Sequence, residues 1–277
     1  MGIQEILAMA MLQGIAIRGV AGVIGFAVIC GAGVGVAVDA MAQQPGGAAA
    51  QSLPAPESLF ERHIEAIGGE AAMRKHTSIK FTGTVKIAAH NYSAFMTTWQ
   101  AAPNSIITNI EAPGMAPMVV ATDGKDAWGF TPPPTGTGWA LIDGERKQEL
   151  QFSAAFYGEL EYESRYAKLQ TIERADFDGK TCWKVYAESH EGKKFFLFFD
   201  EQTGLLLGSH TELNQEGVRV PLIVVLDEYT EVDGVKYVRG LTQRTPSSDT
   251  VLSYRKIEPN PADLPEIKLP EELRGAK

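Results

Sequence analysis

The sequence predicts a mainly β (α+β) protein: a single curved antiparallel sheet of about 11 strands, with an N-terminal helix and an inserted helix covering its concave side. Three observations predict this. From Ser78 onward, apolar residues recur with a period of two over short runs. The Asp-Gly pairs at 123–124, 178–179 and 233–234 each join two such runs, and a tight turn needs the positive φ that Gly supplies. Helical spacing is confined to two stretches, one before the sheet and one midway through it. Hairpin after hairpin gives antiparallel neighbours, so the chain reads as a meander and not as a βαβ protein.

Taken in order, residues 1–42 read as an export signal. Residues 19–38 hold no charged or strongly polar side chain, Arg18 precedes them, and Ala40-Met41-Ala42 places small residues at the spacing signal peptidase cleaves after. The mature chain then starts near Gln43. Glu5 sits where a positive charge is expected, and a start at Met9 or Met11 leaves a more ordinary leader. The rival is an uncleaved membrane anchor, since twenty apolar residues can span a bilayer. The glycines in the run and the cleavage motif favour removal, and Ile29 argues against lipid modification of Cys30. The expected location is the periplasm, with anchoring by an uncleaved signal as the alternative.

Residues 43–57 form a Gly/Ala/Pro linker without periodicity. Residues 58–258 hold the folded domain. In its first helix Leu59, Phe60, His63, Ile64 and Ile67 share one face, and Gly68-Gly69 stops it; a short turn over 70–75 follows. The first strand alternates Ile79, Phe81, Val85 and Ile87 with Lys80, Thr82, Thr84 and Lys86, with Gly83 on the apolar side. Further runs follow at short spacing, from about 91–100 to 250–257. Pro132-Pro133-Pro134 ends one of them, a brief apolar piece spans 139–142, and 144–157 reads as a helix with Leu150, Ala154 and Tyr157 on one stripe. Two runs, 195–199 and 222–226, are apolar on both faces, so those strands are covered on both sides or line a cavity. The tail, 259–277, carries Pro261, Pro265 and Pro270 and is expected to be an extended strap or frayed.

Composition narrows the function classes. Lys and Arg number 25 against 34 Asp and Glu, a net charge of −9, which becomes −8 without Glu5, Arg18 and Asp39. Such a chain offers no basic surface for nucleic acid. The mature part keeps only Cys182, so it can form no internal disulfide and no Cys-His metal cluster. The five histidines (His63, His76, His90, His190, His210) form no HExxH, HxH or HxxxH pair. No phosphate loop, GxSxG elbow or SxxK pair is present. Glu159, Glu161 and Glu163 alternate like a solvated strand edge, and Cys182 beside Trp183 reads as a buried, inert thiol. No catalytic residue, metal or cofactor is expected.

The order of the pieces resembles a known family. Residues 59–72, LFERHIEAIGGEAA, followed by 77–85, TSIKFTGTV, look like the opening of outer-membrane lipoprotein-sorting protein domains. Residues 112–115, 123–128, 178–185, 198–206 and 228–237 continue the match, which covers roughly 57–257. The resemblance implies an incomplete, strongly curved antiparallel barrel with helices plugging its open side, and a carrier of acylated proteins or lipids across the periplasm in an apolar cavity. No arginine here aligns with the one that helps gate the classical carriers, and no functional residue is carried over.

The expected function is a non-enzymatic carrier or binder of lipid or lipoprotein acyl chains; an envelope sensor or protein-interaction module on the same fold is the alternative. The partners are a lipid or acylated lipoprotein cargo and a membrane-anchored delivery or acceptor protein. Burial of a long chain at about 0.8 kcal/mol per CH₂ needs no specific polar contact. The candidate cavity residues are Phe81, Val85, Met96, Trp99, Met118, Trp128, Phe130, Phe196 and Phe198, with 112–117 as a mobile lip.

Overall fold

The computed structural model describes residues 52–133, 136–215 and 218–275. The expected export signal, residues 1–42, and most of the expected linker, 43–57, lie outside the described residues. Helix α1 (Pro56–Ala66) and the single turn α2 (Glu70–Met73) lead into β1 (Ser78–Ile87), β2 (Tyr92–Ala101), β3 (Ser105–Glu111), β4 (Met118–Thr122), β5 (Ala127–Thr131) and β6 (Gly138–Leu141). Helices α3 (Gly144–Ala154) and α4 (Tyr162–Arg165) follow. The chain then runs through β7 (Tyr166–Phe177), β8 (Lys180–Ser189), β9 (Lys194–Asp200), β10 (Leu206–Gln215), β11 (Val218–Val232), β12 (Val235–Arg244) and β13 (Asp249–Pro259).

All 13 strands join one antiparallel sheet in the order β6-β5-β4-β3-β2-β1-β13-β12-β11-β10-β9-β8-β7. The chain starts in the middle at β1, meanders to one edge, crosses through the helices to the other edge, and meanders back until β13 pairs with β1. The sheet is curved and unclosed. Thirteen strands stand where about 11 are expected. One that the pattern hides is the edge strand β6, four residues with no legible alternation, whose Trp139 pairs with Phe130 and whose Leu141 pairs with Trp128.

Local chemistry sets the joints. Gly68 (φ +125°) meets the β11–β12 turn so closely that a Cβ there would lie 2.2 Å from the Gly234 carbonyl oxygen. Lys236 N–H donates to the Ile67 carbonyl at 2.7 Å, so the end of α1 is pinned to that turn backbone to backbone. Gly83 stands at a bulge where β1 changes register against β13, and a Cβ would lie 2.0 Å from the Ser253 carbonyl oxygen.

The main hydrophobic cluster joins Leu59, Phe60 and Ile67 of the α1 region, and Leu150 and Ala154 of α3, to inward residues of most strands. This defines the core face of the sheet. Helix α3 ends at Ala154, so Tyr157 lies past it, and the short helix α4 has no counterpart in the sequence pattern. Glu163 belongs to α4 and Glu161 precedes it, so the three glutamates do not alternate along a strand edge. The tail is an ordered strap: Ile267, Leu269 and Leu273 pack with Trp128, Ala121, Ile107, Trp139 and Leu141 on the face opposite the helices.

Candidate functional site

Cross-strand register assigns each candidate residue to a face. Phe81, Val85, Met96 and Met118 are buried in the main cluster and point to the core face. Met96 lies opposite Gly83 on β1 and Ile110 on β3, and Ile110 lies opposite Met118 on β4. The missing side chain at Gly83 is flanked there by Tyr254, whose ring sits 5.2 Å from that of Phe81.

The other five candidates face the opposite way. Trp99, Ile107, Ala121, Trp128 and Leu141 form one continuous cross-strand row. The strap covers this row from Ile107 to Leu141. Lys80 lies over the Trp99 ring at 5.2 Å and pairs with Asp263 of the strap. Phe130 packs on Trp139 at 5.0 Å on the same side. Phe196 and Phe198 belong to a second cluster with Phe177, Cys182, Leu207 and Val225. There the tip of the β7–β8 hairpin reaches across the sheet: Phe177 stacks on Phe198 at 4.2 Å, and Asp178 accepts from Arg244 of β12 at 3.0 Å. The double-faced run 195–199 is thereby explained, since Phe195, Leu197 and Phe199 serve the main core while Phe196 and Phe198 serve this second one. Alternation along the run gives the two sets but not which of them faces the helices.

Helices and sheet meet on the core face through aromatic rings. Phe60 stacks on Tyr162 at 4.5 Å and meets Phe199 edge-on at 5.1 Å; Phe152 of α3 stacks on Phe195 at 5.6 Å. Arg165 lies over Phe152 at 4.0 Å and donates to its carbonyl at 3.1 Å. A cavity of ≈ 10 Å³, lined by Ile67, Met73, Glu159, Tyr229, Val235, Lys236, Tyr237 and Val238, lies by the β11–β12 turn. That is room for about one water molecule.

Helix α3 is tethered mostly by polar contacts. Its i,i+4 pair Glu145 and Glu149 bonds the hairpin tips of the far half of the sheet: Glu145 accepts from Arg219 at 2.5 Å and from Asn214 at 3.0 Å, and Glu149 pairs with Lys193. Its other i,i+4 pair holds the near half. Lys147 sits 3.7 Å from Asp126, and Gln151 donates to the Gly124 and Lys125 carbonyls.

Two histidines, His63 and His76, and Cys182 are buried. His63 is buried under Phe199, accepts from the Leu206 N–H at 3.2 Å through Nδ1, and is held down to a pKa of about 4 by burial. His76 Nδ1 pairs with the Tyr237 hydroxyl. The Cys182 thiol is fully buried and pushed up to about 11, first by burial and then by Asp176, Asp200 and Glu201, an environment in which a thiol is inert. Among the described residues, no group of three or more His, Cys, Asp or Glu side chains is placed to hold a metal, and no helix is long and apolar enough to cross a membrane.

No protein-family model matches the chain, and no curated protein is similar to it in sequence. Solved structures are similar in fold. A DUF1329 family protein from Desulfovibrio piger superposes with a TM-score of 0.55 at 11% identity, over 75% of this chain and 94% of its own. A putative outer membrane lipoprotein-sorting protein domain from Vibrio parahaemolyticus gives 0.54 at 11% identity, over 80% and 98%. A LolA superfamily protein from Nitrosomonas europaea gives 0.53 at 13% identity, over 79% and 96%. The curved 13-stranded meander of this chain is the fold of LolA superfamily and outer-membrane lipoprotein-sorting domains.

Proposed function

We propose that the protein is a non-enzymatic carrier or binder of acyl-bearing molecules, a lipid or an acylated lipoprotein, held on the core face of the sheet. It acts in the periplasm, which the chain reaches through the leader in residues 1–42, and a membrane-anchored donor or acceptor protein is its partner class. The observation that supports this reading most directly is the way α3 is held. It lies over the apolar core face of an unclosed sheet, contributing Leu150 and Ala154 to the main cluster, while its remaining contacts are largely rim ion pairs and amide hydrogen bonds.

Magnitudes favour displacement of α3 by cargo. Burial of Leu150, Phe152 and Ala154 stabilises the seated helix by about 6 kcal/mol. The rim pairs are partly exposed and add little, about 0–1 kcal/mol each. An entering chain recovers about 0.8 kcal/mol per methylene. Roughly eight methylenes therefore offset the burial that the departing helix gives up, and a longer chain leaves a surplus. The sorting-domain fold is consistent with this reading.

The test is native mass spectrometry of protein purified without detergent from the periplasmic fraction, followed by titration of delipidated protein with a fluorescent acyl probe. The expected result is a co-purifying lipid mass and saturable probe uptake. Protein that carries no lipid and takes up no probe, yet captures a membrane-anchored partner, overturns the carrier reading in favour of an interaction module.

A further inference from the structure

Near its turn the β10–β11 hairpin stands clear of its neighbours. The ladder from β9 ends on β10 at His210, and the ladder from β12 starts on β11 at Ile223. Beyond those points the two strands pair only with each other, and there Asn214 lies directly opposite Arg219. Both side chains donate to one group, the Glu145 carboxylate of α3: Arg219 Nη1 to Oε1 at 2.5 Å and Asn214 Nδ2 to Oε2 at 3.0 Å. One turn further along α3, Glu149 pairs with Lys193, which immediately precedes β9.

These donors converge, and what they hold is a carboxylate of the chain itself. Burial works to raise the Glu145 carboxyl, but the bonds from Asn214 and Arg219, with the charges of Arg219 and Lys193, outweigh it and hold the group below the ordinary carboxylate range. Lys193 thus acts on both glutamates, which stand about 6 Å apart as i,i+4 neighbours on one helix face. The Arg219 side chain is 52% exposed and that of Glu145 32%, so the contact lies at the rim, where an ion pair contributes little. Such a contact is open to exchange with an anion from outside the chain.

Charge and geometry restrict that anion. Two carboxylates one turn apart present two negative charges to Arg219, Asn214 and Lys193. A phosphate monoester carries about the same charge on three acceptor oxygens, and a guanidinium group matches two such oxygens in one plane. An uncharged head group offers these donors nothing of comparable strength. We propose that Arg219, Asn214 and Lys193 form a phosphate-binding site at the rim of the core face, filled in the free protein by Glu145 and Glu149, and that the phosphate head of an acylated ligand replaces these carboxylates as its chain displaces α3. The inference rests on the carrier reading above. It adds the ligand class, a phosphate-bearing amphiphile, and the contact that couples its head to the departure of the helix.

The test displaces an uncharged probe, a pyrene-labelled long-chain alcohol, from the full mature protein at about pH 7.5, where a phosphate monoester is largely doubly charged. The competitors are dodecyl phosphate and dodecanol, both delivered from cyclodextrin, and inorganic phosphate. The same titrations are run on Arg219→Gln and Glu145→Gln. Dodecyl phosphate should bind at least about tenfold tighter than dodecanol, the worth of a charge-assisted hydrogen bond. Inorganic phosphate in about hundredfold excess should displace no probe, because it brings no chain to bury. Arg219→Gln should weaken dodecyl phosphate about tenfold and leave dodecanol as tight as before or slightly tighter. Glu145→Gln removes the internal competitor and should tighten dodecyl phosphate about threefold. Both substitutions lie at the rim, so both variants should melt within a few degrees of the wild type. Equal binding of phosphate and alcohol, an Arg219→Gln effect that is absent or the same for both, weakening of dodecyl phosphate by Glu145→Gln, displacement by inorganic phosphate alone, or a large fall in melting temperature overturns the site while leaving the carrier reading standing. Failure of the probe and of every competitor to bind overturns both.

Discussion

At His63 a ring that ordinarily titrates near neutrality is packed where its charge cannot be hydrated. Its pKa falls from 6.5 to about 4 on folding, so the unfolded chain takes up a proton in that window while the folded one does not. The contribution of this neutral ring is therefore complete above pH 6.5 and declines as pH falls towards 4, by about 3 kcal/mol over the interval. Urea melts from pH 7.5 to 4 should show this loss, and His63→Asn, which keeps an acceptor towards the Leu206 N–H, should flatten it by about one proton. At this scale the sequence is partly legible. Helical spacing places His63 on the apolar face, and Cys182 reads correctly as a buried thiol. What the sequence does not convey is which face of a doubly apolar strand looks inward. Its pattern does not separate Phe196 and Phe198 from Phe195 and Phe199, and the answer depends on a hairpin tip that arrives from β7–β8, more than ten residues away in sequence.

Among the elements, the strap and α3 divide the labour of the two faces. The strap brings Ile267, Leu269 and Leu273 over the row that contains Trp128, and its prolines keep it extended without ladder hydrogen bonds. A chain ending after Asn260 keeps the Asn260 bonds to Thr77 and to the Lys75 carbonyl and should still fold. It should melt several degrees lower and bind an apolar dye on the bared row, since the cover removed includes three large aliphatic side chains at about 1.5–3 kcal/mol each when fully buried. Unchanged melting and no dye signal would show that the strap contributes nothing to the fold. The tail's proline spacing points to a strap but not to the face it covers, because an extended segment has no periodicity that indicates a partner. Leu150 and Ala154 reveal helix α3 in the sequence, whereas its four rim contacts involve residues that look like ordinary surface polarity.

For the whole molecule, the decisive pairing is β1 with β13, residues 79–87 against 250–259. It joins two separate meanders into one sheet, and its sequence separation makes folding slow, because closing so long a loop precedes any return from contacts. A chain truncated before Asp249 should leave β1 without one of its two neighbours, expose Phe81 and Val85 along that edge, and fail to show a cooperative melt by circular dichroism. A sharp transition in such a fragment would show that the β1–β6 half folds independently. The meander and its hairpins are legible from Asp-Gly turns and period-two runs. The position of the break in the sheet is not, because nothing in strand composition says which two neighbours in sequence will stay apart.

That break lies between β6 and β7, which follow one another in the chain and stand at opposite ends of the sheet. Every inter-strand ladder is therefore indifferent to the length of the 142–165 segment that links them. The segment works as an adjustable spacer: residues can be added or removed there without shifting one register elsewhere. On the carrier reading proposed above, cargo size is thus a property a single insertion can change, and residues 142–165 are where a redesigned receptor for bulkier or slimmer guests would begin.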